Sequence, residues 1–398
     1  MAEKLKMLLV GPGFGHNTKG VLDSFKGCDL WDVTFLATTI DPEFIKEYPN
    51  INFIPYDCRI YLKRPFHTLR NMLKLAVYAR FKGKYDVIYN LGLGGIMHAP
   101  LYLFARKKSI LAFEIWSNAV LDSAHSNKSI SEKLDAYIFK KTDLVCQYWW
   151  GIKEKFVNLF PQYEGKWLMY QLSYPDIFFS EEKHQPESEY VKNFLARIPD
   201  DQIVCFWPRS IIPSTNHGLT IEALGKIKAE NPELMTKFKL YIWAGNLDHA
   251  DCRKKIDNGI EKYGLQENIE IVRHPFVPQN DIFAIEERSD FFINIVNADL
   301  LSTFIMEMIC SKKPFVLSNL RTFQFLNEKY GLDIPLVDNN VDKVAAAIKT
   351  ILMGDKKTTL EEYESRKQLC RELFSKTNVK NRNEILYEKV LELKNNLR

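Results

Sequence analysis

Short apolar runs recur along the chain, and segments in which apolar residues follow helical spacing lie between them. Seven of these runs lie in the first half, at residues 5–10, 33–37, 51–55, 86–91, 109–115, 144–148 and 167–172. Six lie in the second half, at residues 203–207, 239–244, 269–273, 291–296, 314–317 and 335–337. Strands that are apolar on both faces are typical of parallel sheets covered by helices. The pattern therefore predicts an α/β protein with two doubly wound, Rossmann-like sheets.

A change of composition separates the two sets of runs. Residues 173–188 (SYPDIFFSEEKHQPES) are rich in proline, serine and charged residues, which is typical of a junction between domains. We therefore expect one domain over residues 1–175 and a second over residues 176–375. We expect the terminal helix, residues 376–398, to pack back towards the first domain. Ligands of doubly wound sheets bind at the carboxyl ends of the strands, so two facing domains predict a cleft between those ends.

Composition and cysteine spacing exclude several classes of protein. The chain has 398 residues, of which 46% are hydrophobic and 26% charged, and this is ordinary for a globular protein. Its apolar runs are shorter than a membrane span, and the first run ends in glycines rather than in a cleavage site. The seven cysteines are scattered without a CxxC pair, which opposes a zinc site or a disulfide framework. We expect a cytoplasmic protein.

Basic charge is concentrated in the first half of the chain. Residues 1–175 contain 23 Lys and Arg against 16 Asp and Glu, whereas the remainder contains 31 against 34. Eight basic residues and no acidic one lie between Asp57 and Asp86, interleaved with apolar residues: Arg59, Lys63, Arg64, Arg70, Lys74, Arg80, Lys82 and Lys84. From Pro65 the segment predicts a helix. Two interpretations stay open, namely a surface for anionic lipid or a lipid-linked acceptor, on the inner face of a membrane, and a solvated basic face over a core stripe. Nucleic acid is not expected, since the net charge is only +4.

A glycine-rich loop follows the first predicted strand. It reads GPGFGH, with Gly13 and Gly15 placed so that the backbone can approach a ligand at the start of a helix. The first interpretation is a loop that contacts a sugar or a phosphate. The second is a dinucleotide loop with Asp41 as the ribose-binding acid, although that fingerprint needs glycine where this chain has His16. The third is a tight turn without a ligand.

Charged residues follow two predicted strands of the second half. Arg209 ends the first of them and can clamp a diphosphate bidentately, and His217, at the start of the next helix, can add a second donor. A surface salt bridge and a helix-capping histidine are the structural alternatives.

The segment from Asp299 to Glu307 links a strand, a loop and a helix. The backbone N–H groups of Leu301, Ser302 and Thr303 can bind a phosphate or a hydroxyl at the helix start. Asp299 can accept hydroxyls of a hexose, and Glu307, one turn into the helix, can accept two ribose hydroxyls. A loop acid and a solvated helix acid are the alternatives.

The acid-x7-Glu pattern, followed by a Lys-Pro-Phe-Val strand, resembles the family 4 glycosyltransferases of the GT-B fold. GPGFG resembles the glycine loop of their N-terminal domain. WPRS with His217-Gly218, LYIWAG, VRHPFV and SDFFIN resemble successive segments of their C-terminal domain. The resemblance covers nearly the whole chain. It implies a transferase that moves a sugar from a nucleotide donor with retention of configuration, with an N-terminal acceptor domain and a C-terminal nucleotide-sugar domain.

The resemblance also assigns roles to residues. Arg209 would neutralise the leaving diphosphate, Glu307 would bind the donor ribose and Asp299 would bind the donor sugar, while Gly13 and Gly15 would approach the donor from the other wall. Aspartate stands at 299 where the family has glutamate, and His217 stands where it has lysine. The histidine that the family often has after the fifth strand is not evident, and Glu114 or Trp116 stands nearby.

The resemblance implies no metal and no other cofactor, and no Asp-x-Asp signature occurs. The implied partners are a nucleotide sugar and a glycan, lipid-linked or other polysaccharide-precursor acceptor. A GT-B protein that binds a nucleotide or a partner without turnover, and a dehydrogenase that uses the first glycine loop, remain the competing hypotheses.

Overall fold

A computed structural model gives the fold of the chain and divides it into two compact units. It describes residues 3–11, 16–37, 45–56, 65–92, 98–116, 118–126, 128–147, 150–170, 174, 179, 184–244, 248–273, 278–299, 301–354, 359–375 and 381–396. The first unit comprises Met1–Ser173 and Val379–Arg398, and the second comprises Tyr174–Asn378. Each unit is built on its own parallel sheet.

The first unit contains a seven-stranded sheet with the strand order β3-β2-β1-β4-β5-β6-β7. Its strands are β1 Leu5–Gly11, β2 Trp31–Ala37, β3 Ile51–Pro55, β4 Val87–Leu91, β5 Ile110–Glu114, β6 Leu144–Gln147 and β7 Trp167–Met169. Every neighbouring pair is parallel. All residues of β4 and β5 are buried, which is why these strands are apolar except for Asn90 and Glu114 near their carboxyl ends.

Helices lie between these strands. They are α1 His16–Phe25, α2 Pro65–Val77 with a π-helical turn at Tyr78–Lys82, α3 Ala99–Phe104, α4 Asn118–Ser126, α5 Ile130–Lys141 and α6 Trp150–Leu159. The helix predicted from Pro65 is confirmed. The start of α5 is stabilised by a capping box, in which Ser129 and Glu132 each accept a hydrogen bond from the other's backbone N–H.

The second unit contains a six-stranded parallel sheet with the order β10-β9-β8-β11-β12-β13. Its strands are β8 Ile203–Trp207, β9 Phe238–Trp243, β10 Ile269–Val272, β11 Phe291–Asn294, β12 Phe315–Ser318 and β13 Leu336–Val337. Its helices are α7 Glu189–Ala196, α8 His217–Glu230, α9 Ala250–Lys262, α10 Gln279–Arg288, α11 Thr303–Ile309, α12 Arg321–Tyr330, α13 Val341–Leu352 and α14 Leu360–Phe374. The two predicted doubly wound sheets are confirmed. In the part of the chain described here, no helix is long and apolar enough to cross a membrane.

The last helix is α15 (Arg382–Asn396), and it packs in the first unit. The prediction that the terminal helix packs back towards the first domain is confirmed. The ring of Tyr387 meets that of Trp31 edge to face, with centroids 5.6 Å apart, and its hydroxyl donates to the carbonyl of Glu3 at 2.7 Å. The indole N–H of Trp31 donates to the carbonyl of Asn383 at 3.4 Å. Burial of the apolar side chains of α15 holds this helix against a sheet whose strands lie more than 200 residues earlier in the sequence.

A buried charged cluster adds to the attachment of α15. Arg382 donates to the carboxylate of Glu114, at the end of β5, and to the hydroxyl of Tyr89 at 2.5 Å. Both Tyr89 and Tyr170 donate their hydroxyl protons to Glu114. The side chain of Glu114 is 2% exposed and that of Arg382 is 13% exposed. Glu114 stands near the place where the resembling family often has a histidine. In this structure its carboxylate holds the terminal helix.

A pH-dependent contribution to stability is expected from His98, which precedes α3. Its ring is buried, and neither ring nitrogen has a hydrogen-bond partner among the residues that the structure describes. Burial lowers the pKa of His98 to about 3 from its ordinary 6.5. Between these values the unfolded chain binds a proton that the native chain does not, so stability falls as the pH falls.

We expect the wild type to lose about 1.4 kcal/mol per pH unit between pH 6 and pH 5 relative to the variant His98→Phe. Hydrogen exchange of the β4 and β5 amides measures this opening separately from the second sheet. Parallel pH profiles for the two proteins would contradict the assignment.

Candidate functional site

The candidate site lies at the carboxyl ends of β8 and β11, where the strand order of the second sheet reverses. Such reversal points are where doubly wound sheets bind ligands. The loop after β8 runs beside the end of β11, since Asn216 N–H donates to the carbonyl of Ile295 at 3.0 Å and Asn297 N–H donates to that of Ser214 at 2.7 Å. The hydroxyl of Thr215 donates to the carbonyl of Ser210 at 2.6 Å and braces the same loop.

Arg209, Asp299 and Ser302 meet at this edge. Nη2 of Arg209 lies 3.0 Å from Oδ2 of Asp299, and its Nη1 donates to Oγ of Ser302 at 2.7 Å. Ser302 in turn donates to Asp299 through its backbone N–H at 2.9 Å and its hydroxyl at 3.3 Å. The three side chains form a closed ring. Since a guanidinium has five N–H donors, Arg209 keeps donors for a further anionic group.

The environment of Asp299 differs from the sequence-based expectation. Its side chain is 2% exposed, and its carboxylate already accepts from Ser302 and pairs with Arg209. The hydroxyl of Thr322 also donates to its backbone carbonyl, at 2.9 Å. An acid expected to receive hexose hydroxyls is therefore engaged in orienting the guanidinium of Arg209.

The backbone after Asp299 is bent by Leu301. This residue has φ of 67°, a left-handed conformation that is costly for a side chain with a Cβ. Its carbonyl accepts from the hydroxyl of Tyr174 at 3.4 Å, and its side chain is buried. The bend turns the Ser302 N–H onto Asp299, so this N–H, expected to bind a ligand, is already used. Thr303 begins α11 and has an exposed side chain.

Glu307 lies within α11 and is buried, where it hydrogen-bonds to Glu286 of α10. Burial, the negative charge of Glu307 and this hydrogen bond raise the pKa of Glu286 well above its ordinary value. The raised pKa favours a proton on Glu286, which can donate it in the hydrogen bond to Glu307. The pair fixes the orientation of Glu307 while Glu307 itself stays the acceptor, as binding of ribose hydroxyls needs.

His217 carries no positive charge at neutral pH. Its ring lies 4.1 Å from that of Trp207, centroid to centroid, and burial lowers its pKa to about 4. Nδ1 lies 3.2 Å from the carbonyl of Thr215, which only accepts, so Nδ1 carries the proton. The sequence analysis expected His217 to add a second donor to the phosphates, but the proton on Nδ1 is directed at the carbonyl of Thr215 and burial favours the neutral ring.

Four residues named in the sequence-based hypotheses are not among the residues that the structure describes in full. Gly13 and Gly15 lie outside the described residues, and so does Asp41. His16 begins α1, and nothing is described of its side chain.

Two side chains of the site were not recognised as such from the sequence. The sequence-based hypothesis gave Ser302 a role only through its backbone N–H, and not through its hydroxyl. It gave no role to Glu286, which lies four residues after Ile282 on the helix that precedes β11. An acid on the apolar face of a helix is the signal that identifies such a residue.

Solved structures with the same architecture are glycosyltransferases. A glycosyltransferase of Rickettsia africae ESF-5 shares 16% identity, covers 98% of this chain and 99% of its own, and has a TM-score of 0.71. The HepE protein of Anabaena in complex with UDP shares 13% identity over 98% of this chain and 100% of its own, with a TM-score of 0.68. A sucrose-phosphate synthase of Thermosynechococcus elongatus shares 15% identity over 99% of both chains, with a TM-score of 0.68.

The sequence comparisons identify no relative. No protein-family model matches the chain, and no curated protein matches it. At 13–16% identity the structural likenesses establish the fold alone. The chain has the GT-B glycosyltransferase fold, with two parallel α/β sheets of seven and six strands.

Proposed function

We propose that this protein is a glycosyltransferase that moves a hexose from a nucleotide-sugar donor to an acceptor with retention of configuration. The observation that carries the proposal is the guanidinium of Arg209, held by Asp299 and Ser302 where the second sheet reverses its strand order. A positive group fixed at this place suits a diphosphate leaving group, whose negative charge grows in the transition state.

The fold and the site support a UDP-sugar as the donor. Structures with this fold include HepE in complex with UDP and glucose and a UDP-forming trehalose-phosphate synthase of Burkholderia vietnamiensis. In this chain Arg209 binds the diphosphate and Glu307, oriented by protonated Glu286, accepts the ribose hydroxyls. The acceptor oxygen bonds to the anomeric carbon as the bond from that carbon to the diphosphate breaks, and the departing phosphate takes the acceptor proton, so the reaction requires no carboxylate nucleophile. In our proposal Arg209, rather than a metal ion, offsets the charge of the diphosphate.

The acceptor that we propose is a glycan, a lipid-linked sugar or another precursor of a cell-surface polysaccharide. The protein acts in the cytoplasm, attached peripherally to the inner face of the membrane. The basic segment between Arg59 and Lys84 supports this location, since a run of cations without acids is attracted to anionic lipid.

Donor binding tests the proposal directly. A UDP-sugar is expected to raise the melting temperature of the protein, because a ligand that binds the native state stabilises it against unfolding. NAD is not expected to bind and should leave the melting temperature unchanged. The variants Arg209→Ala and Glu307→Gln are expected each to weaken donor binding by roughly 1–3 kcal/mol, since each removes a hydrogen bond to a charged or buried group.

Arg288→Ala is the matched control. Arg288 ends α10 at the opposite edge of the sheet, its side chain is 26% exposed, and it donates to the carbonyl of Pro199 at 2.6 Å. Donor affinity equal to wild type in both site variants would count decisively against the site.

A GT-B protein that binds the nucleotide without turnover is the second candidate. The engagement of Asp299 by Arg209 favours it, since this acid has little surface left for a sugar hydroxyl. Release of UDP from UDP-glucose, alone and with acceptor, separates the two candidates: binding without release supports the second.

A further inference from the structure

One face of the first unit exposes an unusual number of large apolar side chains. On α2 and its π-helical turn, Phe66 is 85% exposed, Leu73 57% and Phe81 73%. Further exposed apolar residues on the same elements and on α3 are Leu69, Val77, Leu103 and Phe104. These seven side chains are called here the apolar face. The elements that carry them, α2 with its π-helical turn and α3, pack on each other, and a large exposed apolar surface marks an interaction site.

The helix α2 has two apolar sides. Leu75 is fully buried on the side that packs on the first unit, and Ala76 beside it is also buried. Phe66, Leu69, Leu73 and Val77 follow a spacing of three to four residues on the opposite side. A helix that merely covered the core would carry polar residues there. The sequence interpretation of a solvated face over a core stripe therefore does not explain the exposed rings.

The charges around the apolar face have one sign. Residues 58–113 contain eleven Lys and Arg and one acidic residue, Asp86, which accepts hydrogen bonds from Lys6 N–H and from Lys394. Eight of the eleven lie in the described part of the chain: Arg70, Lys74, Arg80, Lys82, Lys84, Arg106, Lys107 and Lys108. None of these eight forms an ion pair within that part. An excess of cations at this density leaves a field that attracts anions.

An open recess of about 620 Å³ adjoins the apolar face. It lies between the end of β3 and α2 and is lined by Tyr56, His67, Arg70, Leu73 and Lys74, among others. Lys74 donates to the carbonyl of Pro55 at its wall. A recess with cations at the rim and an apolar side chain beside them suits one phosphate-bearing headgroup.

We propose that the apolar face is a membrane-docking surface, which inserts its side chains at the acyl boundary of an anionic phospholipid bilayer while the surrounding cations contact lipid phosphates. The inference rests on the proposed attachment to an anionic membrane, and it adds which residues enter the bilayer. A second copy of the chain is a poorer occupant, because it would bring unpaired cations against cations. Nucleic acid offers no apolar phase for Phe66 and Phe81.

Vesicle binding tests the apolar contribution. The protein is expected to bind vesicles of equimolar phosphatidylcholine and phosphatidylglycerol, and not vesicles of phosphatidylcholine alone. The double variant Phe66→Ser, Phe81→Ser is expected to lower the partition coefficient about a hundredfold, at about tenfold for each ring withdrawn from the apolar phase. The control Ile130→Ser, Leu360→Ser changes two side chains that are 75% and 67% exposed elsewhere, and it should bind as the wild type does.

Two double variants with the same change of net charge test the contribution of the cations to vesicle binding. Arg80→Glu with Lys82→Glu is expected to weaken binding more than tenfold and to reduce its dependence on salt. Lys254→Glu with Lys255→Glu makes the same change of net charge at two exposed lysines of α9 and should leave binding unchanged.

Several outcomes would overturn the proposal. The first is a wild type that does not bind vesicles containing phosphatidylglycerol. The second is equal binding to these vesicles and to vesicles of phosphatidylcholine alone. The third is a Phe66→Ser, Phe81→Ser variant that binds as tightly as the wild type. A dimer that dissociates in this variant, without vesicle binding, would assign the face to self-association instead. Donor affinity is expected to be unchanged in the same variant, so a failure of membrane docking and a failure of sugar transfer are read separately.

Discussion

Replacing Arg382 with methionine is expected to destabilise the first unit by about 3–5 kcal/mol, because it leaves the buried carboxylate of Glu114 without its cation. The side chain of Glu114 is 2% exposed and, among the described residues, would keep only the hydroxyls of Tyr89 and Tyr170 as partners. The effect should appear as loss of hydrogen-exchange protection in α15 and β5, the elements that the pair joins.

The double variant Glu114→Gln, Arg382→Met is expected to recover most of this stability, since it removes both charges. Lys389→Met is the control on the same helix, because its exposed pairing with Glu392 should contribute less than about 1 kcal/mol. A cost below about 1 kcal/mol for Arg382→Met would show that apolar packing alone attaches the helix. If the double variant is no more stable than Arg382→Met, the unpaired charge of Glu114 is not the cause of the destabilisation.

Replacing Arg209 with alanine is expected to slow sugar transfer by ~10²–10³, the usual cost of removing one fixed donor that stabilises charge developing in a transition state. Arg209→Lys should recover only part of the rate, because an ammonium lacks the planar fork that binds two phosphate oxygens at once. Release of UDP from the donor in single-turnover experiments measures the chemical step apart from binding.

Ser302→Ala tests whether positioning of the guanidinium matters. It removes the hydroxyl that accepts from Nη1 of Arg209 while leaving the charge in place, and a loss of about tenfold is expected. Arg288→Ala, at the opposite edge of the sheet, should transfer sugar at the wild-type rate. Full activity in Arg209→Ala would remove the leaving-group role assigned to this residue.

Strand positions were predictable because a buried parallel strand must be apolar on both faces whatever its neighbours are. All thirteen runs became strands, and the errors are at their ends. The run predicted to continue to Val296 ends at Asn294, because Ile295 turns its carbonyl to Asn216 of the adjoining loop. The proximity of Arg209 and Asp299 followed from the same topology, since both residues lie in loops that follow the central strands β8 and β11.

The chemical state of the site was less predictable. The sequence places His217 near Arg209 but contains no measure of its burial, and burial decides that the ring is neutral. Asp299 was expected to face a sugar, but its short side chain pairs with Arg209 instead. The partner of Glu307 lies on a different helix, so no spacing along the chain connects the two acids.

The order of apolar and polar residues by itself determined the two parallel sheets, the edge at which their functional loops lie and the excess of cations between Arg59 and Lys84. Tertiary structure decided that Phe66 and Phe81 are exposed, that His217 is neutral and that Glu114 meets Arg382 from 268 residues away. The physical reason is that backbone pairing and burial of strands follow from local pattern, whereas the charge and exposure of a side chain depend on neighbours that only folding brings to it.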